Sequence, residues 1–263
     1  MMKRFILLVV VNALLSSVSF GQYAHFPESG VIHFEKRVHL KNFMKRKMAL
    51  SKSDNFDRSY MDQLMSKAPE SYVYKSILSF NGSESRYDPV KEEQTAIMRN
   101  LEWYGFDYAG SYYQHIDKGL FKNKMNYNGG DILLEDSLLN IKWKVTNEYR
   151  DIAGYNCRRA NGVLLDSIFV VAFYTDAIPL SSGPIGTNGL PGMILGLAVP
   201  EQHYNIYATK VEMGQPQITS EFAKKRDKPM RRADFQAFMR DRLRVGDWYT
   251  EAEFNYMMVN MLL

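Results

Sequence analysis

The sequence predicts a mainly β (α+β) protein: an antiparallel β-meander forming a curled sheet or half-barrel, with a helical insertion near the N-terminus and helices at the C-terminus. Three observations carry this. Apolar and polar residues alternate in stretches such as 31–40 and 139–146, the period of half-buried strands. Turn signals punctuate the chain at Asn81-Gly82, Asn128-Gly129-Gly130, Gly154 and Asn161-Gly162,. The final segment changes period, with Phe254, Met257, Met258, Met261 and Leu262 on a helical stripe,.

Taken in order, residues 1–21 read as a cleavable secretory signal: basic Lys3-Arg4, an apolar core from Phe5 to Leu15, and small Ser19 and Gly21 before a cut at Gln22,. The core is broken by Asn12, too short for the about 20 apolar residues of a membrane anchor. No stable transmembrane anchor is expected after cleavage. In 31–40, Ile32, Phe34, Val38 and Leu40 alternate with a polar face carrying His33, Glu35 and His39. From 41 to 69 the spacing of Phe43, Met44, Tyr60, Met61, Leu64 and Met65 is helical, and Pro69 ends it,. Residues 72–80 return to strand character, and 84–100 are charged enough to read as solvated loop or helix. Trp103, Tyr104, Phe106, Tyr108, Tyr112 and Tyr113 crowd one stretch, as a core-facing strand pair would,.

Leu139, Ile141, Trp143 and Val145 make the clearest amphipathic strand. The Gly154 turn joins it to 155–160, and Asn161-Gly162 leads to Ile168-Phe-Val-Val-Ala-Phe-Tyr174, an unbroken run that reads as a strand covered on both faces. Strands at 193–199 and 204–211 complete about eight. A basic linker with Lys224, Lys225, Lys228, Arg231 and Arg232 follows, then two helical segments. The second opens with Thr250-Glu-Ala-Glu253, a capping box. Its stripe needs a surface, and docking on this protein's own sheet is the simplest one. The expected organisation is therefore a signal over 1–21, a β-rich domain over 22–213 and a helical tail over 214–263.

Composition narrows the function. The formal charge of +4 falls to about +2 once Lys3 and Arg4 leave, so a nucleic-acid partner is not expected. The lone cysteine, Cys157, forms no intramolecular disulfide and reads as a buried thiol,. The histidines His25, His33, His39, His115 and His203 show no ligand spacing. His33 and His39 share a face with Glu35, but six residues of extended chain hold them about 20 Å apart. The 15 methionines fit apolar packing better than soft-metal binding,. No Gly-x-Ser-x-Gly elbow is present. No metal or other cofactor and no catalytic residue is assigned.

The segment Gly183-Pro184-Ile185-Gly186-Thr187-Asn188-Gly189-Leu190-Pro191-Gly192-Met193-Ile194-Leu195-Gly196 is too apolar for a surface loop and too rich in glycine and proline for regular structure,. It lacks the Gly-Lys-Ser/Thr ending of a phosphate cradle. Together with Trp143, Gly154-Tyr155-Asn-Cys157 and Phe173-Tyr174-Thr, it resembles the GLPGLI family of exported bacterial proteins over roughly 139–212, with Met193 in place of the second leucine, a swap that packing tolerates. The resemblance implies an envelope protein of the Bacteroidota type, associated with outer-membrane transport, and implies no reaction. The strand order also resembles the incomplete barrels of periplasmic lipoprotein carriers. Asp136-Ser137-Leu138 and Asp166-Ser167-Ile168 resemble the O-glycosylation sequence of Bacteroidota envelope proteins.

These readings point to a periplasmic, non-enzymatic protein that binds an envelope partner or a small ligand and assists transport or assembly. Its candidate ligand or partner surface is Gly183, Pro184, Gly189, Leu190, Pro191, Gly192, Trp143 and Tyr174. One alternative is a carrier of an apolar or lipid ligand in a concave face lined by Trp103, Tyr108, Tyr112, Trp143 and Phe173. Another is a hydrolase using dispersed carboxylates such as Asp151 and Asp176.

Overall fold

The computed structural model describes residues 27–52, 58–93, 95–102, 105, 110–165, 167–222 and 228–262. The signal at 1–21, His25, Trp103, Tyr104, Phe106, Tyr108, Asp166 and residues 224–227 of the basic run lie outside the described residues. Eleven strands form one antiparallel sheet: β1 (Ser29–Val38), β2 (Tyr72–Asn81), β3 (Glu84–Pro89), β4 (Ser111–His115), β5 (Leu120–Tyr127), β6 (Gly130–Ser137), β7 (Lys142–Ile152), β8 (Tyr155–Leu164), β9 (Ile168–Thr175), β10 (Met193–Val199) and β11 (Tyr204–Met213). Among the described residues five α-helices accompany it: α1 (Leu40–Leu50), α2 (Arg58–Lys67), α3 (Ala96–Glu102), α4 (Arg232–Arg242) and α5 (Glu251–Leu262). No helix among the described residues is long and apolar enough to cross a membrane.

The sheet order is β6-β5-β4-β3-β2-β1-β11-β10-β9-β8-β7. β1 is central, pairing with β2 on one side and β11 on the other. The two edge strands are consecutive in sequence, yet they do not pair. Five antiparallel steps separate each from β1, so β6 and β7 run in the same direction. A parallel pair needs a crossover of roughly a dozen residues, whereas only residues 138–141 join these two. Strand parity therefore leaves the curled sheet open along a seam.

The C-terminal segment covers one side of that seam. Met230 bridges to Leu134 of β6, accepting from the Glu135 N–H and donating to the Leu133 carbonyl, both at 2.9 Å. This occupies part of an edge that would otherwise invite another chain. The Arg232 guanidinium lies 4.1 Å from the Phe121 ring centroid and donates to the Ser137 carbonyl at 2.7 Å. Phe235 and Met239 of α4, Leu243 just after it, and Phe254, Met257, Met258 and Met261 of α5 pack with Met125 and Leu134 in a cluster beside the main core. Thr250 caps α5 as its sequence implies, its hydroxyl oxygen accepting from the Glu253 N–H at 3.0 Å. Tyr256 reaches the Phe43 ring of α1, 5.3 Å between centroids. The last helix thus packs on its own chain.

Three sequence readings need correction. Residues 84–89 form β3, because Ser85 and Tyr87 turn inward while the charges of Glu84, Arg86 and Asp88 mask the alternation. Asn161-Gly162 is inside β8, where a side chain on Gly162 would come 2.5 Å from the Trp143 ring. The glycine admits that indole, and the turn falls later, at Leu165 with φ 45°. The amphipathic strand at 139–145 is displaced: Leu139 and Ile141 are buried in the link before β7, and Val145 is exposed because β7 is an edge.

Candidate functional site

The Gly-Pro segment folds inward. After β9 the chain buries Ile178, Leu180, Ser182, Pro184, Ile185, Thr187 and Leu190 before rejoining the sheet as β10. A buried irregular backbone must find hydrogen-bond partners, and these come from distant strands. Gln114 of β4 donates to the Gly186 carbonyl at 2.8 Å and accepts from the Ser182 hydroxyl at 2.8 Å. Ser182 also shares a 2.6 Å hydrogen bond with Ser85 of β3. Trp143 of β7 donates from Nε1 to the Asn188 carbonyl at 2.8 Å. The loop thus ties the β9–β10 hairpin to both arms of the sheet. Gly186, at φ 76°, approaches Phe121 so closely that a Cβ would sit 2.4 Å from the ring. Ile185 adopts φ 49°, uncommon for a β-branched residue.

The sequence-derived candidates divide by exposure. Gly183, Pro184, Leu190, Gly192 and Tyr174 are buried, Trp143 is half-buried, and Gly189 and Pro191 are exposed. The structure brings Trp143 against Gly189, whose hypothetical Cβ would lie 3.3 Å from the indole nitrogen. Tyr174 pairs with Ile194 in the β9–β10 ladder. Of the residues expected to line a concave cavity, Tyr112 borders one. Phe173 occupies the face opposite Val170 and Ala172, with the Arg150 guanidinium 4.7 Å from its centroid.

That cavity measures about 710 Å³ and is bordered by β1 to β6, the approach to β4 and Ile185 of the loop. Its aromatic wall includes Tyr87 and Tyr112, centroids 5.9 Å apart, and the Ser76 hydroxyl donates to the Tyr87 oxygen at 2.5 Å. Across the β4–β5 ladder from Tyr112, Asn123 is fully buried, and neither atom of its amide has a hydrogen-bond partner among the described residues. Lys36 supplies a buried charge. It is 6% exposed, with Nζ 4.5 Å from the Tyr204 ring centroid. Three ion pairs stand at the rim: Lys75 with Glu92, Lys124 with Asp131 and Asp88 with Arg86, each at 2.7 Å. The bond to Glu92 raises the Lys75 amine above its usual value, and the bond from Lys124 lowers the Asp131 carboxyl.

Sequence reasoning passed over Lys36, although the signal was present. Ile32, Phe34 and Val38 mark the core phase of β1, and residue 36 falls in that phase. A lysine in an apolar register of a central strand must be compensated, since burying a charge without partners is costly. No group of three or more His, Cys, Asp or Glu side chains able to hold a metal ion occurs among the described residues. His33 instead bonds Glu212 at 2.7 Å. Cys157 is fully buried; burial and then the Asp151 charge push its thiol up to about 12. Asp151 and Asp176 are both exposed.

Residues 161–196, running from the end of β8 through the buried loop into β10, match a family described as "Protein of unknown function (Porph_ging)". No curated protein matches the chain. Among solved structures it is similar to one titled "Structure of PNGF-II in P21 space group", with 14% identity and a TM-score of 0.48, over 80% of this chain and 32% of that one. The chain therefore spans about a third of that protein's length.

Proposed function

We propose that this is an exported, non-enzymatic protein of the GLPGLI kind, which holds a small ligand in the cavity beneath its buried loop and serves envelope transport or assembly from the periplasm. The cavity carries this reading: its volume of about 710 Å³ lies in the range of small-molecule sites, roughly 300–1,000 Å³. Mixed aromatic and polar walls suit binding,. The carboxylates at its rim are engaged with basic side chains, which favours binding over acid–base chemistry. Export rests on residues 1–21, the transport role on the family resemblance. In the proposed organisation, the helical tail after 213 covers the β6 side of the seam of the β-rich unit.

A second reading follows from the exposed Gly189 and Pro191 beside Trp143. Where the loop returns to the surface, it offers a rigid patch to an envelope partner.

Crosslinking and pull-down of the tagged mature protein from its native envelope, with small molecules analysed from the same sample, tests both. A stoichiometric small molecule supports the ligand reading. A transporter or assembly component crosslinked near Gly189 supports the partner reading. Recovery of neither from an intact, folded sample overturns the proposal, and an uncharged lipid in the cavity gives the apolar-carrier reading precedence.

A further inference from the structure

We propose a second binding site, in the cavity between α1, the Pro200–Gln202 turn and α5, for a small zwitterion of the α-amino-acid class with an apolar side chain. It is separate from the cavity beneath the buried loop, with which it shares no bordering residue. Its volume of about 430 Å³ lies within the roughly 300–1,000 Å³ of small-molecule sites. Two polar groups on its wall are buried without partners. Gln202 borders the cavity and is 1% exposed. Its amide nitrogen donates to the Tyr256 carbonyl at 3.0 Å, which orients the amide, while Oε1 has no hydrogen-bond partner among the described residues. Tyr256 borders the same cavity, and its buried hydroxyl is likewise without a hydrogen-bond partner among the described residues. A buried polar atom left unpaired is costly, so two of them on one cavity wall mark a place where a bound molecule completes the bonding.

The chemistry of these groups selects the ligand. An amide oxygen only accepts, so an N–H or O–H donor must meet Gln202 Oε1. Burial pushes the Tyr256 phenol above its usual value, with the Arg46 charge acting the other way. The hydroxyl therefore stays protonated and can donate to an anionic oxygen. Arg46 of α1 and Glu201 of the turn also border the cavity, both exposed, and supply one charge of each sign. A ligand with a single charge is drawn to one of them and repelled by the other. A zwitterion matches both: its ammonium donates to Gln202 Oε1 and faces Glu201, while its carboxylate accepts from the Tyr256 hydroxyl and faces Arg46. Each contact is a charge-assisted hydrogen bond or an ion pair, stronger than its neutral counterpart. Leu50, Leu165, Ile168, Met258 and Val259 give the ligand's side chain an apolar wall.

Three probes with one carbon skeleton isolate the charges: L-leucine, 4-methylpentanoate, which lacks the ammonium, and 3-methylbutylamine, which lacks the carboxylate. Each is titrated calorimetrically into the full mature protein at neutral pH. L-Leucine should bind about tenfold more tightly than either of the others. Arg46→Met should weaken L-leucine by about tenfold and change 3-methylbutylamine by no more than about threefold. Lys45→Met, on the same helix but off the cavity wall, should change neither by more than about threefold. Comparing the probes on the wild-type protein keeps the test decisive if Arg46→Met fails to fold. Equal binding of all three overturns the zwitterion assignment. L-Leucine binding that Arg46→Met leaves unchanged overturns its placement in this cavity, and absence of binding by any probe, with the protein folded, overturns the site. Each of these failures leaves the reading of the larger cavity standing.

Discussion

Gly192 closes the buried loop, and replacing it with alanine tests whether the loop is rigidly built. Its φ is 148°, and an added Cβ would lie 2.1 Å from the Thr175 carbonyl oxygen and 2.7 Å from the carbonyl carbon. Both obstacles are backbone, held by the β9–β10 ladder, where Thr175 pairs with Met193. Two costs follow. A non-glycine residue in this sparsely populated region costs about 1–3 kcal/mol, and forcing atoms into packed space costs about 1–3 kcal/mol more. A midpoint near 4 kcal/mol corresponds to a fall in Tm of about 8–16 °C for a chain of this size. Gly82→Ala is the control, since Gly82 also has positive φ, 57°, but nothing lies within 4 Å of its hypothetical Cβ. That variant pays only the conformational cost, about 1 kcal/mol or 2–4 °C. Thermal melts of both variants by circular dichroism decide the matter. A Gly192→Ala protein melting within 4 °C of wild type, about the control's loss, would refute the claim that this loop cannot yield.

Three further outcomes follow from the same structure. Gln114→Leu keeps the volume but leaves Ser182 and the Gly186 carbonyl without the amide that joins them; a loss of about 2 kcal/mol is expected by urea unfolding, and a neutral result would show the loop to be held by packing alone. Burial pushes the Asp136 carboxyl up, but the backbone N–H groups of Arg232 and Ser137 and the Arg232 charge outweigh it and hold it below its usual value. A lowered folded-state pKa means stabilisation that is present above the usual carboxylate range and lost as pH falls through the lowered value. Wild-type Tm should therefore drop further than that of Asp136→Asn between about pH 4 and pH 2, and parallel pH profiles would remove Asp136 as the anchor of α4. Finally, the Cys157 thiol should stay inert to a thiol reagent at pH 8 until the protein is unfolded, because its ionisation is suppressed by burial; rapid native-state labelling would contradict the packing of β8.

Much of this fold is legible wherever local pattern and tertiary role agree. The strands at 72–80 and 204–211 alternate because one face is core, and Thr250 announces α5 because capping is a local interaction. Legibility fails where a distant partner reassigns a residue. Gly162 reads as a turn glycine until Trp143 is seen against it, and β3 reads as solvated until Tyr112 and Tyr113 pair with it. The seam is the least legible feature, since Met230 meets Leu134 from a distant part of the chain. At the site, composition exposes the loop as buried and constrained, but not the direction in which it folds. Lys36 is the instructive case: counting only the apolar residues of a strand hides the charged one that shares their phase.

The most direct test of the account is a crystal structure of the mature protein purified under native conditions from its own envelope. The account predicts non-protein density in the cavity, lying along Tyr87, Tyr112 and Ile185. A cavity filled by the chain's own side chains would contradict the ligand-binding reading at its foundation.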